Sequence, residues 1–199
     1  MTQSQTDPAV EAALLQAYAA GDADAARSLA TRYTPLVFAH AVRMLNDRAE
    51  AEDVAQEAML KLWRQAPGWD VEGGASVRTW LYRVTANLCI DRLRRTRPIG
   101  MPDDLDIPDD GPGAEARLQA KARKLALDEA LMQLPDRQRQ AVVLRHIEGL
   151  GNTEIAQIMD IGPRAVESLT ARGKRSLTAL LSGQRTGLGY TDDTVETSL

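Results

Sequence analysis

Four side chains near the C-terminal end, Arg164, Ser168, Arg172 and Arg175, recur at the three- and four-residue spacing that stacks side chains on one face of a helix. Three guanidiniums and a hydroxyl suit a DNA duplex, because Arg binds phosphate and reads guanine bidentately and Ser can donate or accept at a base edge. The same residues could equally solvate an exposed helix face, so spacing alone does not decide between the two. Their context is more telling. Thr153 to Met159 reads as a short helix with Ile155, Ala156 and Met159 inward, and Asp160-Ile161-Gly162 reads as a tight turn. Pro163 suits the first position of a second helix running to Leu181. Val166, Leu169, Thr170, Gly173, Leu177 and Leu180 fall on the side of that helix opposite the arginines. The small Ala156 is where the two helices are expected to cross closely. Asn152 to Leu177 therefore has the form of a helix-turn-helix that offers its second helix to a major groove. Glu167 is the exception on that face: it repels phosphate unless it accepts from a cytosine amino group or points to the edge.

A second constellation lies in the N-terminal half. From Ala51 to Trp63, Ala51, Val54, Ala55, Ala58 and Leu62 form an apolar stripe, while Asp53, Gln56, Glu57, Leu60 and Arg64 share another face. Charge mixed with an exposed leucine suits a protein partner, with a solvated face as the alternative. From Arg78 to Arg95 a further helix buries Val77, Trp80, Leu81, Val84 and Leu88 and aligns Arg83, Asn87 and Arg94 on a polar side. Asparagine is a poor helix former, and its amide can hydrogen-bond a base edge, although a plain surface position would also explain it.

The elements that must carry these residues are nearly all helical. Ala, Leu, Arg, Glu and Gln dominate, β-branched runs are short, and aromatic residues make up only 4% of the 199 residues. Hydrophobic and charged shares of 44% and 26% are those of a soluble globular chain. Helices are expected over Pro8 to Ala19, Ala23 to Leu45 with a kink or division at Pro35, Asp47 to Gln65, and Ser76 to Arg95. Asp47 is a good N-cap, with Glu50 at the capping-box spacing. Beyond them, Ala116 to Leu134 and Asp136 to Ile147 are separated by Pro135, and Gly149 and Gly151 frame the turn before the helix-turn-helix.

Between the two halves, Pro98, Gly100, Pro102, Pro108, Gly111, Pro112 and Gly113 forbid regular structure, and every charged residue from Pro98 to Glu115 is acidic. The division is thus a helical domain over 8–97, a flexible acidic linker over 98–115, a second helical domain over 116–182 and a disordered tail over 183–199. Setting aside the linker acids and Asp192, Asp193 and Glu196 of the tail leaves a surplus of Lys and Arg, so the net charge of -4 does not exclude a nucleic-acid partner. No apolar run has the length of a signal peptide or a membrane span, and the single Cys89 fits a reducing compartment, so a cytoplasmic location without membrane insertion is expected. His40, His146 and Cys89 are too scattered for a zinc site, and no phosphate-binding glycine loop or nucleophile constellation is present. Neither an enzyme nor a cofactor is expected.

The stretches Ala51 to Trp63 and Arg78 to Arg95, followed by the linker, Leu134-Pro135-Asp136-Arg137-Gln138-Arg139 and the helix-turn-helix, closely resemble bacterial sigma factors of RNA polymerase, and the two-domain length resembles their extracytoplasmic function (ECF) subgroup. The resemblance spans roughly Leu14 to Leu181 and rests on the order and spacing of the motifs. It implies that Asp53, Gln56, Glu57 and Leu60 bind core polymerase at the β′ clamp helices, with the second domain on the β flap. Asn87, with the loop Pro67 to Ala75 and Trp69 as a stacking residue, would capture a base flipped from the minus-ten element, and Arg83, Arg94 and Arg95 would hold its backbone. Trp63 and Trp80 are assigned to the core. Arg164, Ser168, Arg172, Lys174 and Arg175 would bind the minus-thirty-five element, the acidic linker would thread the polymerase channel, and an anti-sigma factor would control the protein. Family patterns often carry Lys where Glu167 stands and Arg where Leu169 stands, which bears on the promoter sequence. A transcription regulator that binds duplex DNA through its helix-turn-helix without core polymerase is the competing reading.

Overall fold

The structure, a computed structural model, describes residues 8–70, 76–96 and 114–182. Part of the loop around Trp69, most of the acidic linker and the tail over 183–199 lie outside the described residues. Among the described residues there are helices and no strands, as the all-α expectation required.

The first domain is built from α1 (Pro8–Ala19), α2 (Ala23–Leu45), α3 (Arg48–Gln65) and α4 (Val77–Thr96), with a 3-10 turn at Ala66–Gly68. Asp22 caps α2 by accepting from the backbone N–H groups of Asp24 and Ala25, and Asp47 caps α3 by accepting from that of Glu50. Ser76 Oγ accepts from Thr79 N–H at 3.1 Å, as expected at the start of α4. Leu15, Leu29, Val37, Val54, Ala58, Leu62 and Leu81 meet in one buried core, with Trp63, Trp69 and Trp80 packed against it. Two expectations change. Pro35 does not divide α2, which stays continuous; Pro35 and Thr31 are both exposed, so the carbonyl that loses its N–H partner can turn to water. Glu50 does not complete a capping box, because its carboxylate is drawn across to Arg92 of α4 at 2.7 Å.

Buried Glu11 ties this domain together in a way its position gave no hint of. Its carboxylate accepts from the Tyr33 hydroxyl and from Val77 N–H at 3.3 Å, so a side chain of α1 satisfies an orphan donor at the N-terminus of α4. Burial, followed by the neighbouring Glu11, raises the Tyr33 pKa and keeps its proton in place to donate.

The second domain comprises α5 (Ala114–Met132), α6 (Asp136–Val142), a π-helical turn (Val143–Ile147), α7 (Asn152–Met159) and α8 (Pro163–Ser182). Helix α5 begins at Ala114, so the last two residues assigned to the linker, Ala114 and Glu115, are helical. The helix expected over Asp136 to Ile147 widens after Val142, where Glu148 N–H reaches back five residues to the Val143 carbonyl. Gly149, at φ +72, then turns the chain toward α7. Glu154 accepts from Gly151 N–H at 2.9 Å and so fixes the start of α7.

Candidate nucleic-acid interface

Helix α8 is held by its apolar side and leaves its basic side in water. Val166 and Gly173 are buried and Leu169, Leu177 and Leu180 half-buried, whereas Arg164, Ser168, Ala171, Arg172 and Arg175 are all exposed. Asp160 closes α7 in the left-handed region at φ +52, and Ile161 N–H reaches the Ala156 carbonyl, which reverses the chain within three residues. Ala156 of α7 is buried in the core it shares with Val166 and Leu169 of α8. A further close approach, between α8 and α6, is at Gly173, where an added Cβ would sit 2.6 Å from Val142 Cγ2 and 3.1 Å from the Gln138 carbonyl oxygen. Helix α8 therefore docks on α6 as closely as backbone allows, which sets the angle at which its outer face projects.

On that outer face Arg172 Nε donates to the Ser168 carbonyl at 3.2 Å, which braces the stem of the guanidinium along the helix. Lys174 is exposed on the flank nearer the π turn, where burial and then the Lys174 charge lower the pKa of His146. Glu167 is exposed, and one of its carboxylate oxygens accepts from Asn152 Nδ2 at 3.3 Å. That contact turns the acid toward the start of α7 and was invisible in the sequence, since the two residues are fifteen positions apart.

In the first domain, Arg83, Asn87, Arg94 and Arg95 are exposed along α4, with Arg83, Asn87 and Arg94 on a common side. Trp69 is half-buried, its ring edge-on to Trp80 with centroids 5.8 Å apart. The α3 set is brought together as expected: Asp53, Gln56 and Leu60 are exposed on one face, and Leu60 keeps 52% of its surface in water, which is rare for a large apolar side chain in this molecule. Glu57 differs, being half-buried and paired with Lys61 at 3.3 Å and Arg92 at 3.7 Å. Among the described residues no group of His, Cys, Asp and Glu could hold a metal ion, and no helix is long and apolar enough to cross a membrane. Cys89 is buried, and burial pushes its thiol up to about 12.

The structure thus joins in one chain a helical domain with an acidic, leucine-bearing face and a helix-turn-helix with a basic outer face. Comparison with known proteins specifies the class. The Sigma-70 region 2 pattern matches residues 29–99 and the Sigma-70 region 4 pattern matches residues 124–177. The chain is 30% identical to the ECF RNA polymerase sigma factor SigW of Bacillus subtilis, over 79% of this chain and 89% of that protein. It is 33% identical to the ECF RNA polymerase sigma factor SigM of Mycobacterium tuberculosis, over 89% and 88% respectively. Among solved structures, CnrH in complex with the cytosolic domain of CnrY superposes with a TM-score of 0.65 at 26% identity, covering 89% of this chain and 99% of that one. The chain belongs to the ECF sigma factors of RNA polymerase.

Proposed function

We propose that this protein binds core RNA polymerase, brings it to promoters through the minus-thirty-five and minus-ten elements, and promotes transcription initiation. It acts in the cytoplasm by binding and positioning, with no catalytic step of its own. The observation that carries the reading is the exposed basic face of α8, held by a helix-turn-helix within a chain that also carries a region 2 domain. In this reading Arg164, Ser168, Arg172, Lys174 and Arg175 bind the upstream element. Arg83, Asn87, Arg94 and Arg95, with Trp69, engage the minus-ten strand. Asp53, Gln56 and Leu60 offer acids, an amide and an apolar knob to the polymerase, and Glu57, tethered by Lys61 and Arg92, completes that surface. The functional units are a core- and minus-ten-binding domain ending near residue 97, an acidic linker, an upstream-element domain from Ala114 to Ser182, and a tail.

An anti-sigma factor is the expected regulator, in keeping with the complexed state of CnrH. A gel shift on promoter DNA with and without core polymerase tests the proposal. Stable, promoter-selective complexes should need core; equally tight and selective duplex binding by the protein alone would instead identify a stand-alone regulator.

A further inference from the structure

Helix α1 holds both the chain that leaves α3 and the chain that enters α4. On the first side it packs against the 3-10 turn at Ala66–Gly68, and the Tyr18 ring meets that of Trp63 with centroids 4.7 Å apart. On the second, Val77 N–H, at the first residue of α4, donates to Glu11 Oε2 at 3.3 Å, while the Tyr33 hydroxyl of α2 donates to Oε1. Both carboxylate oxygens are thus engaged, and only 6% of Glu11 meets water. A leucine would fill the same space without the cost of burying a carboxylate. Apolar contact has no direction, however, whereas two hydrogen bonds from different helices admit one register between them. The carboxylate also lies at the positive end of the α4 dipole, which strengthens its hold on the first turn.

The geometry fixed in this way is that between Trp69 and α4. Trp69 leaves the 3-10 turn with its N–H bonded to the Ala66 carbonyl at 3.2 Å, and its ring stands edge-on to Trp80 in the first turn of α4. Asn87 lies about 15 Å further along the same helix than Val77. A helix moves as a rod over that length, so a shift of its first turn against the 3-10 turn moves Asn87 relative to Trp69 by a similar amount. A binding site loosened by about 1 Å loses its contacts. We propose that Glu11 is a positioning residue for minus-ten capture: without touching DNA, it sets α4 against the 3-10 turn so that Asn87 and Trp69 engage one strand together. This rests on the minus-ten reading of Asn87 given above.

The test uses the full chain assembled with core polymerase and single-stranded DNA carrying the minus-ten element, intact or with each base in turn removed. The capture ratio is the affinity for the intact strand over that for the strand abasic at the position where Asn87→Ala erases the preference. Glu11→Ala should lower this ratio at least about fivefold, the smaller end of what a paired amide contact to a base contributes. Loss of folded protein alone would lower both affinities alike and leave the ratio unmoved. Glu11→Gln keeps an acceptor oxygen for Val77 N–H and turns its amide to the Tyr33 oxygen, so it should restore most of the ratio. A ratio unchanged in Glu11→Ala, where Asn87→Ala abolishes it, would overturn the positioning role and leave the minus-ten reading standing. A Gln variant as poor as Ala would also contradict it, because the hydrogen bond to Val77 would then not be what positions α4. If Glu11→Ala loses helix content, Tyr33→Phe decides: it keeps the ring in the core and frees one carboxylate oxygen, so the ratio should fall, and an unchanged ratio would refute the proposal. Wild-type complexes that bind intact and abasic strands equally at every position would remove the minus-ten reading, and this role with it.

Discussion

Arg172 is the residue of α8 with the most definite expected contact, because its stem is already braced along the helix by the Ser168 carbonyl. Arg172→Ala should weaken upstream-element binding by about 1–3 kcal/mol and relax preference at one base pair. Binding measured against a set of singly changed promoters checks this; weakening uniform across the set would make Arg172 a phosphate contact. Asn87, exposed midway along α4, is proposed for a different task. Asn87→Ala should impair promoter opening, followed by permanganate reactivity of unpaired thymines, more than it impairs duplex binding, since a flipped base is held by such amide contacts. Equal loss of both would remove that role. At this scale exposure and spacing were legible from the sequence, because helical periodicity alone sorts residues to faces. The Asn152 contact to Glu167 and the pairing of Glu57 with Arg92 were not, because each joins residues on different helices.

Gly173 shows how an element can depend on the absence of a side chain. In an exposed helix interior, Gly→Ala would stabilise by up to about 1 kcal/mol through helix propensity. Here the added methyl would meet Val142 and the Gln138 carbonyl, so crowding outweighs propensity. Gly173→Ala is expected to destabilise the protein by about 1–3 kcal/mol in urea unfolding and to reduce upstream binding with it. Helix limits were readable because the chain marks them chemically, with Asp22, Asp47 and Ser76 as caps and Pro135 and Pro163 as breaks. Whether Pro35 divides a helix was not readable, since that depends on which face meets water. The π turn is likewise a tertiary feature: the chain there is apolar and helical by pattern, and its widened turn precedes a carboxylate whose partners lie in the other domain.

At the scale of the whole molecule, the seam between the domains, where Glu148 accepts from Arg43 and Tyr82, should make stability depend on pH. His40 is fully buried near Glu148, edge-on to the Tyr82 ring and close to Arg43, with neither ring nitrogen hydrogen-bonded. Burial, and then the Arg43 charge, lower its pKa from 6.5 to about 3. The folded chain thus holds His40 neutral where the unfolded chain protonates it. Its contribution is fully present above pH 6.5 and is lost progressively as pH falls from there toward about 3. Urea unfolding at a series of pH values should show this loss, and His40→Leu should flatten the curve in that window; an equally steep curve in the variant would assign the effect to other groups. Two helical domains could be inferred from where Pro and Gly interrupt the helical pattern. Their mutual packing could not, because Tyr82 and Glu148 look like ordinary surface-helix residues until the domains are brought together.

The most direct measurement is transcription of genomic DNA by core polymerase with and without this protein, with the transcript starts sequenced. Addition of the protein should produce a new set of starts that share sequences near minus thirty-five and minus ten, and Asn87→Ala should suppress that set. Core polymerase that gains no start sites, or gains them without any shared upstream and downstream elements, would contradict the assignment.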